Sequence, residues 1–461
     1  MHDIILPDYT LRGHKGSITA LQVVLDWQEF PVPVLFSADT LGKLIIWDLI
    51  TRRILFDYEI DKSPQVVSVK YLGNSLFSIL SKDHKLRVLQ LTSSNSTKLV
   101  KKGQSKNSNK PSYQVSSVFT VPVNTLNFAN FSLQQIGEEE YRLTCCNTQD
   151  PERIDVYDFK LHQLNSLKRI KKGLSFYEIV KQFLNNSSVS KFDKLGIVMK
   201  FVHLNGLIYC GLESGFVICF KLHPKLQFTS KLGEVCNISN YITEPTGNSG
   251  QKSQHFKDII EIVHISMVHY PNPILDMTIS QNIEDTVISS STESKVGLHC
   301  GRKENSMNSE LYVEDYFINS TRDIIIRKDL EVSSKFYELP TSQIGSVASL
   351  NKNLIVSNWN GITLIVDEDQ NVIKKYFKTQ SNTIVNESAT GNIQGDSNPS
   401  DKKNERLCKA KVVTAIAKQR EIPTHLEGSL QIGQKRRLET FLRSSWCFIG
   451  YDDGCIALNQ L

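Results

Sequence analysis

The sequence predicts an all-β protein, a seven-bladed β-propeller built as a single domain with long loop insertions. One segment, residues 13–49, holds short β-rich strands between a Gly-His start and a Trp-Asp end, and its strand-turn-strand element recurs along the chain. In addition, 40% of the 461 residues are hydrophobic, so the chain can bury a large core. At about 150 residues per domain the length alone would suggest three domains, but the recurrence assigns the extra residues to loops.

The first unit is the most complete one. Its apolar runs are bounded by turn residues, as expected of consecutive antiparallel strands, and they are Ile18–Leu21, Val34–Asp39 and Leu44–Leu49. Gly13-His14 and Trp47-Asp48 at its two ends resemble a WD repeat, which is one propeller blade. In WD repeats a hydrogen-bonded tetrad fixes the blade, and the matching residues are His14, Ser37, Asp39 and Trp47. We interpret this set as structural rather than hydrolytic, because a buried polar network explains the same residues.

Six further units repeat the pair of apolar strands. They are Leu76–Leu80 with Leu86–Leu91, Arg142–Cys146 with Ile154–Phe159, Leu207–Gly211 with Phe216–Leu222, Val287–Ser290 with Val296–Leu298, Leu354–Ser357 with Ile362–Asp367, and Trp446–Gly450 with Cys455–Leu461. The positions equivalent to Trp47 are Leu89, Tyr157, Phe220, Leu298, Val366 and Asn459. These units lack a complete tetrad, so we expect their blades to depend more on apolar packing. The predicted blades span 11–56, 57–92, 118–162, 195–235, 260–300, 336–378 and 408–461, the last together with 4–12.

The last unit aligns Leu461 with Leu49, so it ends after its third strand. An unpaired outer edge would expose backbone groups that can pair with strands of other chains. Residues 6–12 are β-like and precede the first Gly-His. We therefore predict that an N-terminal strand closes the last blade, and that deletion of residues 1–12 unfolds the propeller.

Insertions account for the remaining length, because a bare four-stranded blade needs only about 40–45 residues. Two of them, 93–117 and 379–407, are rich in Ser, Asn and Lys and are predicted to be disordered. A third, 174–184, places apolar residues on one face of a short helix, and these are Phe176, Ile179, Val180, Phe183 and Leu184. We predict that this face contacts a partner protein. Residues 439–443, beside the basic run 435–437, are also predicted to be helical.

Several classes are excluded by composition. The sequence has no run of 18 apolar residues and no signal-peptide pattern, so we expect no membrane partner and no secretion. Nine Cys without a CxxC pair disfavour a disulfide framework or a structural zinc site. The net charge of +5 is too weak to indicate direct nucleic-acid binding.

Candidate chemical motifs are weak throughout. His264 and His269 lie five residues apart in a β-like run, where an uninterrupted strand would point them to opposite faces, so we interpret them as ordinary strand residues. The run Gly247–Ser253 lacks the spacing of a phosphate-binding loop. The basic runs 168–172 and 435–437 are interpreted as solvated loops, with an acidic partner or nuclear import as the alternatives. We predict no catalytic residue, no cofactor and no metal.

More distinctive strings identify a family resemblance. They are Ile46–Thr51, Leu80–Arg87, Pro122–Phe131, Gly196–Phe201 and Val268–Pro273. Together they resemble the fungal ASTRA-associated protein 1 family over the chain from the first Gly-His onward, apart from the Ser/Asn-rich insertions. The resemblance implies a non-enzymatic WD-repeat scaffold subunit of the ASTRA complex, located in the nucleus, with the cytoplasm as a second location. It also implies roles in chromatin regulation, telomere maintenance and the biogenesis of phosphatidylinositol-3-kinase-related kinases. The implied partners are Tel/Tti-type co-chaperones, RuvB-like AAA+ ATPases and a kinase-related acetyltransferase cofactor.

Two alternatives belong to other functional classes. A Gβ-like signalling adaptor would need an N-terminal coiled-coil helix, and only twelve residues precede Gly13. A propeller enzyme that uses the central channel would need clustered carboxylates or histidines at the channel mouth, and the strand ends show no such repeated cluster.

Overall fold

Antiparallel β-strands make up most of the regular structure. The protein is represented by a computed structural model, which describes residues 7–25, 32–62, 64–94, 112–126, 129–185, 192–223, 228–229, 235–236, 258–301, 313–379, 407–419 and 431–461. Within these ranges no helix is long and apolar enough to cross a membrane. The all-β propeller class predicted from the sequence is confirmed.

Six sheets have four strands each, and we call them blades 1 to 6. Blade 1 contains β2 (Ile18–Val24), β3 (Val34–Asp39), β4 (Lys43–Asp48) and β5 (Arg53–Glu59). Blade 2 contains β6 (Val66–Gly73), β7 (Leu76–Ser81), β8 (Lys85–Ser94) and β9 (Ser112–Pro122). Blade 3 contains β10 (Ser132–Gly137), β11 (Glu140–Cys146), β12 (Ile154–Lys160) and β13 (Lys168–Leu174).

The other three blades follow later in the chain. Blade 4 contains β20 (Ile274–Ile279), β21 (Thr286–Ser291), β22 (Lys295–Cys300) and β26 (Phe336–Glu338). Blade 5 contains β27 (Ile344–Leu350), β28 (Asn353–Asn358), β29 (Thr363–Val366) and β30 (Val372–Tyr376). Blade 6 contains β31 (Ala410–Ile416), β32 (Trp446–Tyr451), β33 (Cys455–Gln460) and β1 (Tyr9–Arg12).

A seven-stranded sheet, here called the large sheet, lies in the ring between blades 3 and 4. Its strands are β14 (Val198–Leu204), β15 (Leu207–Leu212), β16 (Val217–His223), β19 (Ile259–Ser266), β23 (Tyr316–Ile318), β24 (Ile324–Arg327) and β25 (Val332–Ser333). Between β16 and β19 the chain forms a two-stranded hairpin of β17 (Phe228–Thr229) and β18 (Val235–Cys236).

The prediction of seven blades is wrong, since the described residues form six four-stranded blades and the large sheet lies where a further blade was predicted. Its fourth strand, β19, does not end the sheet, because the far edge of β19 pairs in parallel with β24 and β25. The residues that pair there come from the connection between the third and fourth strands of blade 4. The predicted boundary between 195–235 and 260–300 is therefore displaced, because β19 belongs to the earlier sheet.

The predicted closing strand is confirmed. β1 pairs antiparallel with β33, in a register that places Tyr9 opposite Leu458 and Arg12 opposite Cys455. The backbone N–H of Gln460 also donates to Oδ2 of Asp8 at 2.6 Å. The outer edge of β33 is thereby covered by residues from the other end of the chain.

Side chains on the first strands, or just before them, connect neighbouring sheets. First strands of neighbouring sheets contact one another, β6 and β10 through the hydrogen bond from Lys70 to Leu133, and β31 contacts β2, so the strands form a closed ring. We call the hydrogen bonds and ion pairs between them the inner belt. Its members are Tyr71 N–H to Gln22 Oε1 (2.7 Å), Lys70 Nζ to the Leu133 carbonyl (2.8 Å), Phe201 N–H to Asn130 Oδ1 (2.6 Å), Lys200 Nζ to Asp276 Oδ1 (2.8 Å), Val347 N–H to Asp276 Oδ2 (3.0 Å) and Val413 N–H to Ser346 Oγ (3.2 Å).

Apolar clusters fill the spaces between adjacent sheets. Phe36 of blade 1 lies with its ring centroid 5.6 Å from that of Phe77 in blade 2. Phe119 of blade 2 stacks on Phe159 of blade 3 at 4.6 Å. Such pairs bury large ring surfaces and stabilise the contact between blades through apolar packing.

Helices occur in the connections between strands. α1 (Tyr177–Asn185) confirms the helix predicted over 174–184, and α2 (Ile432–Leu442) extends the predicted 439–443 toward the N-terminus. Two short 3-10 helices span Leu164–Ser166 and Val313–Asp315. β8 and β9 contain both ends of the predicted disordered insertion 93–117, while 95–111 lie outside the described residues. Of the insertion 379–407, only Thr379 and Leu407 are described, and they form an isolated bridge.

Candidate functional site

The structure brings the four tetrad residues of blade 1 together. Oδ2 of Asp39 lies 3.0 Å from Nδ1 of His14, and Nε2 of the same ring lies 2.6 Å from Oγ of Ser37. Nε1 of Trp47 donates to that hydroxyl at 2.8 Å. Burial would raise the pKa of Asp39, but hydrogen bonds from His14 and from the backbone N–H groups of Lys43 and Leu41 outweigh it, so this pKa lies below its ordinary value.

This tetrad has the composition of a Ser-His-Asp hydrolase site but not its accessibility. Ser37 is 0% exposed, and its hydroxyl contacts both His14 and Trp47. A nucleophile must reach a substrate carbonyl, which a fully enclosed hydroxyl cannot do. The geometry therefore fits the structural interpretation: the tetrad joins the turn before β2 to β3 and β4.

Blade 4 contains a second arrangement of the same kind, which sequence reasoning missed. Nδ1 of His269 lies 2.9 Å from Oε1 of Glu293, and its Nε2 lies 2.9 Å from Oγ of Ser289. Nε2 of His299 lies 2.6 Å from the same hydroxyl. On its other side, Nδ1 of His299 lies 3.3 Å from Nε2 of His264. We call these five residues the histidine chain.

Donor chemistry gives the histidine chain one direction. A carboxylate only accepts, so His269 carries its proton on Nδ1 and accepts at Nε2 from the Ser289 hydroxyl. The hydroxyl oxygen in turn accepts from Nε2–H of His299, as Ser37 accepts from Trp47 in blade 1. His299 then accepts at Nδ1 from His264, which lies on β19 of the large sheet. The chain thus connects blade 4 to its neighbour.

The strand register identifies His299 as the counterpart of Trp47. Ser289 pairs with Gly297 as Ser37 pairs with Ile45, so the prediction of Leu298 at this position is wrong by one residue. A detectable signal was present, because His299 follows Ser289 by ten residues, as Trp47 follows Ser37. A Cβ at Gly297 would lie 2.7 Å from Oγ of Ser289 and 2.8 Å from Nε2 of His299, so glycine is needed there.

Burial keeps the three histidines uncharged. Burial lowers the pKa of His264 to about 4, with Lys335 adding to the effect. Burial, followed by the neighbouring His264 and His269, holds the pKa of His299 well below its ordinary value. Burial also lowers the pKa of His269, although Glu293 acts in the opposite direction. The prediction of ordinary strand residues is confirmed for the position of His264, which lies on β19. It is wrong for His269, because β19 ends at Ser266 and the following turn directs His269 into the histidine chain.

The apolar face of α1 is buried by the protein itself, which corrects the hypothesis that it contacts a partner. All five predicted contact residues are buried, namely Phe176, Ile179, Val180, Phe183 and Leu184. The Phe176 ring centroid lies 5.1 Å from that of Phe220 in β16, and Phe183 packs edge-on against Phe317 of β23 at 6.3 Å. The extra strands of the large sheet thus cover a face that the sequence shows only as amphipathic.

The basic run 168–172 forms β13, the outer strand of blade 3. Lys171 is buried and lies 3.2 Å from Asp323, whereas Lys168, Arg169 and Lys172 are exposed. A cleft of about 760 Å³ separates this strand from residues 319–323. Its lining includes acidic as well as basic side chains, so the cleft has no evident preference for an anion.

The second basic run lies on α2, which packs on blade 6. Leu438, Phe441 and Leu442 are buried, and Phe441 stacks on Trp446 of β32 with centroids 5.0 Å apart. Lys435, Arg436 and Arg437 lie on the parts of the helix that are not buried. The run is therefore helical and fixed to the propeller, not the predicted loop.

No cluster of three or more His, Cys, Asp or Glu among the described residues could hold a metal ion. Cys145 and Cys146 are both buried, and burial holds the pKa of the Cys145 thiol well above its ordinary value. Such a thiol is a poor nucleophile. The glycine-containing run 247–253 lies outside the described residues.

Comparisons with known proteins agree with this architecture. The sequence model of ASTRA-associated protein 1 matches residues 7–459. ASTRA-associated protein 1 of Vanderwaltozyma polyspora is 46% identical over 99% of both chains, and that of Zygosaccharomyces rouxii is 38% identical over 100% of both. The protein of that name from Saccharomyces cerevisiae strain YJM789 is 32% identical over 99% of this chain and 97% of its own.

Solved structures resemble the fold at low sequence identity. The Myceliophteria thermophila Cps50 (Swd1) β-propeller domain superposes with a TM-score of 0.50 at 8% identity, over 98% of both chains. Chaetomium thermophilum Raptor gives a TM-score of 0.51 at 9% identity, over 100% of this chain and 30% of that one. At such identities the likeness concerns the fold alone.

Proposed function

Because the chain belongs to the ASTRA-associated protein 1 family, we propose that it is a non-catalytic scaffold subunit of the ASTRA complex. The observation that carries this proposal is the family match over nearly the whole chain, combined with a closed propeller. A propeller presents many loops around a stiff ring, which suits simultaneous contacts with several proteins.

The absence of catalysis is part of the proposal. Its support is that both Ser-His-acid sets have serines that are 0% exposed, at Ser37 and Ser289. Each of these hydroxyls is bonded to the side chains that join its strands. The described residues thus offer fixed polar networks where a propeller hydrolase would need an open nucleophile.

The finer proposal concerns partners and location. We propose that the scaffold docks Tel/Tti-type co-chaperones, RuvB-like AAA+ ATPases and the kinase-related acetyltransferase cofactor in the nucleus. In this role it takes part in chromatin regulation, telomere maintenance and the biogenesis of phosphatidylinositol-3-kinase-related kinases. The family name, which states an association with ASTRA, supports this choice over a Gβ-like signalling adaptor.

The test is affinity purification of the tagged protein at its natural abundance, followed by mass spectrometry. We expect co-chaperones and AAA+ ATPases in stable stoichiometry, in a nuclear fraction, and absent from a matched purification with an unrelated tagged propeller. Recovery of the chain alone, or with G-protein subunits instead, would contradict the proposal.

A further inference from the structure

A surface on blades 6 and 1 carries an excess of positive charge. It consists of the outer side of α2 and the turn between β4 and β5 of blade 1. Its cationic residues are Arg52, Arg53, Lys418, Lys435, Arg436, Arg437 and Arg443. We call it the α2 surface.

Ring contacts hold the two parts of the α2 surface together. The guanidinium carbon of Arg52 lies 3.1 Å from the ring centroid of Tyr9 in β1. That ring lies 6.3 Å from Trp446, which stacks on Phe441 of α2. The backbone N–H groups of Lys418 and Gln419 bond to Ser445 and Leu442, and so place Lys418 at the C-terminal end of the helix. The positions of these cations are therefore set by folded elements.

The cations have no carboxylate partner within the described part of the chain. Among the ion pairs found there, none involves any of the seven side chains, although Arg87, Arg142 and Arg327 elsewhere all pair with aspartates. Glu439 lies on the same helix and likewise forms no ion pair with another described residue. Arg436, Arg437 and Arg443 are exposed, so they remain free to bind an anionic group.

Exposed apolar side chains lie among these charges. Ile432, in the first turn of α2, is 77% exposed. Tyr9 is 38% exposed and Ile54, beside Arg53, is 44% exposed. Tyrosine and arginine are enriched at the centres of protein interfaces, where apolar anchors and charged hydrogen bonds act together.

We propose that the α2 surface binds an acidic segment of a partner protein that also carries apolar side chains. The uncompensated arginines select the carboxylates, and Ile432, Ile54 and Tyr9 supply the apolar contacts. This inference rests on the proposed scaffold function, since it assigns one of the docking surfaces.

The same observations favour a protein over a nucleic acid. A single-strand binder uses aromatic rings on which bases stack. Here the rings of Trp446 and Phe441 are buried against each other, and the guanidinium of Arg52 covers one face of the partly exposed Tyr9 ring. A phosphate backbone would leave Ile432 exposed to water, whereas a peptide side chain would cover it. An acidic peptide and a nucleic acid are both negatively charged. The experiment therefore includes a nucleic acid to distinguish the two.

The direct test measures fluorescence anisotropy of a labelled peptide of alternating Glu and Leu, titrated with the full chain. Replacing Arg436→Glu together with Arg437→Glu should weaken binding about tenfold or more, since like charges replace favourable pairs. The matched control reverses two exposed lysines of the other basic run, Lys168→Glu with Lys172→Glu, and should change binding less than about twofold. Ile432→Ser should weaken the binding of this peptide but not the binding of an all-Glu peptide.

Three outcomes would overturn the inference: equal binding by the α2 variant and the wild type, equal weakening by the control pair, or tighter binding of a duplex DNA of the same charge. Thermal melts verify folding of each variant, and Arg436→Gln with Arg437→Gln repeats the test without added negative charge. In affinity purification, an unaltered partner set from the α2 variant would also refute the inference while leaving the scaffold proposal intact. A wild-type purification without partners would instead refute the scaffold proposal.

Discussion

Blade 1 and blade 4 contain the same hydrogen-bonded arrangement with different final donors. In blade 1 the donor to the serine is Trp47, whose indole N–H can only donate, so the network ends there. In blade 4 the donor is His299, whose second nitrogen accepts from His264 in the large sheet. The first network joins strands within one blade, whereas the second also joins two sheets. The difference shows that one architecture can carry either a fixed or a titratable link.

The largest effect is expected from removing the fixed link. Trp47→Ala should lower the free energy of unfolding by about 3–5 kcal/mol, because it deletes a buried indole and leaves Ser37 without its donor. Chemical denaturation followed by tryptophan fluorescence measures the change. Trp359→Ala is the matched control, since Trp359 is 45% exposed and its loss should have a small effect. Equal losses in both variants would show that the tetrad adds nothing specific.

Acid should weaken the titratable link selectively. The pKa of His264 is about 4 in the folded protein, below the ordinary value of 6.5. Between these two pH values the unfolded chain therefore binds a proton on this side chain, whereas the folded chain does not. This difference has no effect above pH 6.5, and stability falls as the pH drops from 6.5 toward 4, by about 3 kcal/mol for this one group. His269 and His299 shift in the same direction and add to the loss.

Denaturation curves across this pH range measure the acid effect. His264→Phe removes one titrating group and should make the decline between pH 6.5 and 4 less steep. An unchanged slope in that variant would mean that other groups cause the loss.

A smaller effect is expected from interrupting the histidine chain at its centre. Ser289→Ala leaves Nε2 of both His269 and His299 without a partner, which should destabilise the protein by about 2 kcal/mol. The control is Ser290→Ala, because Ser290 is equally buried but makes only a long contact of 3.5 Å. Differential scanning calorimetry compares the two variants, and similar melting temperatures would contradict a stabilising role for the chain.

The smallest effect on stability is expected from the inner belt, which connects both sheets that contain a tetrad and sheets that do not. Gln22→Leu removes the acceptor of the Tyr71 N–H and should cost about 1 kcal/mol. Gln134→Leu, at a half-buried position of β10, is the comparison and should be nearly neutral. Urea midpoints of the two variants would separate these expectations. A cost for Gln134→Leu as large as that for Gln22→Leu would contradict the role of the belt.

Local pattern was sufficient for much of the fold. The Gly13-His14 and Trp47-Asp48 dipeptides and the alignment of Leu461 with Leu49 led to the propeller and to its closing strand, because blades repeat a local unit. The large sheet could not be predicted in the same way. Its parallel pairing joins Ile260 to Ile324 across an insertion. No local sequence pattern predicts the sheet edge with which a strand from such an insertion pairs.

The sites show the same division. The amphipathic pattern of α1 was visible in the sequence, but whether its apolar face meets a partner or the same chain depends on where β23 and β24 lie. For blade 4, a one-residue error in register assigned Leu298 instead of His299 to the Trp47 position, and this error hid the histidine chain. Register errors have this consequence because neighbouring strand residues point to opposite faces.

The pairing of β1 with β33 also determines when the ring can close during protein synthesis. β1 is synthesised before the other described strands of the ring, yet its only strand partner in the described structure, β33, is the last of them to be made. Until then its backbone edge is unpaired, while blades 1 to 5 can already form from local neighbours. The ring therefore closes only after β33 has been made, and during that interval a chaperone bound to residues 9–12 would hold the propeller open.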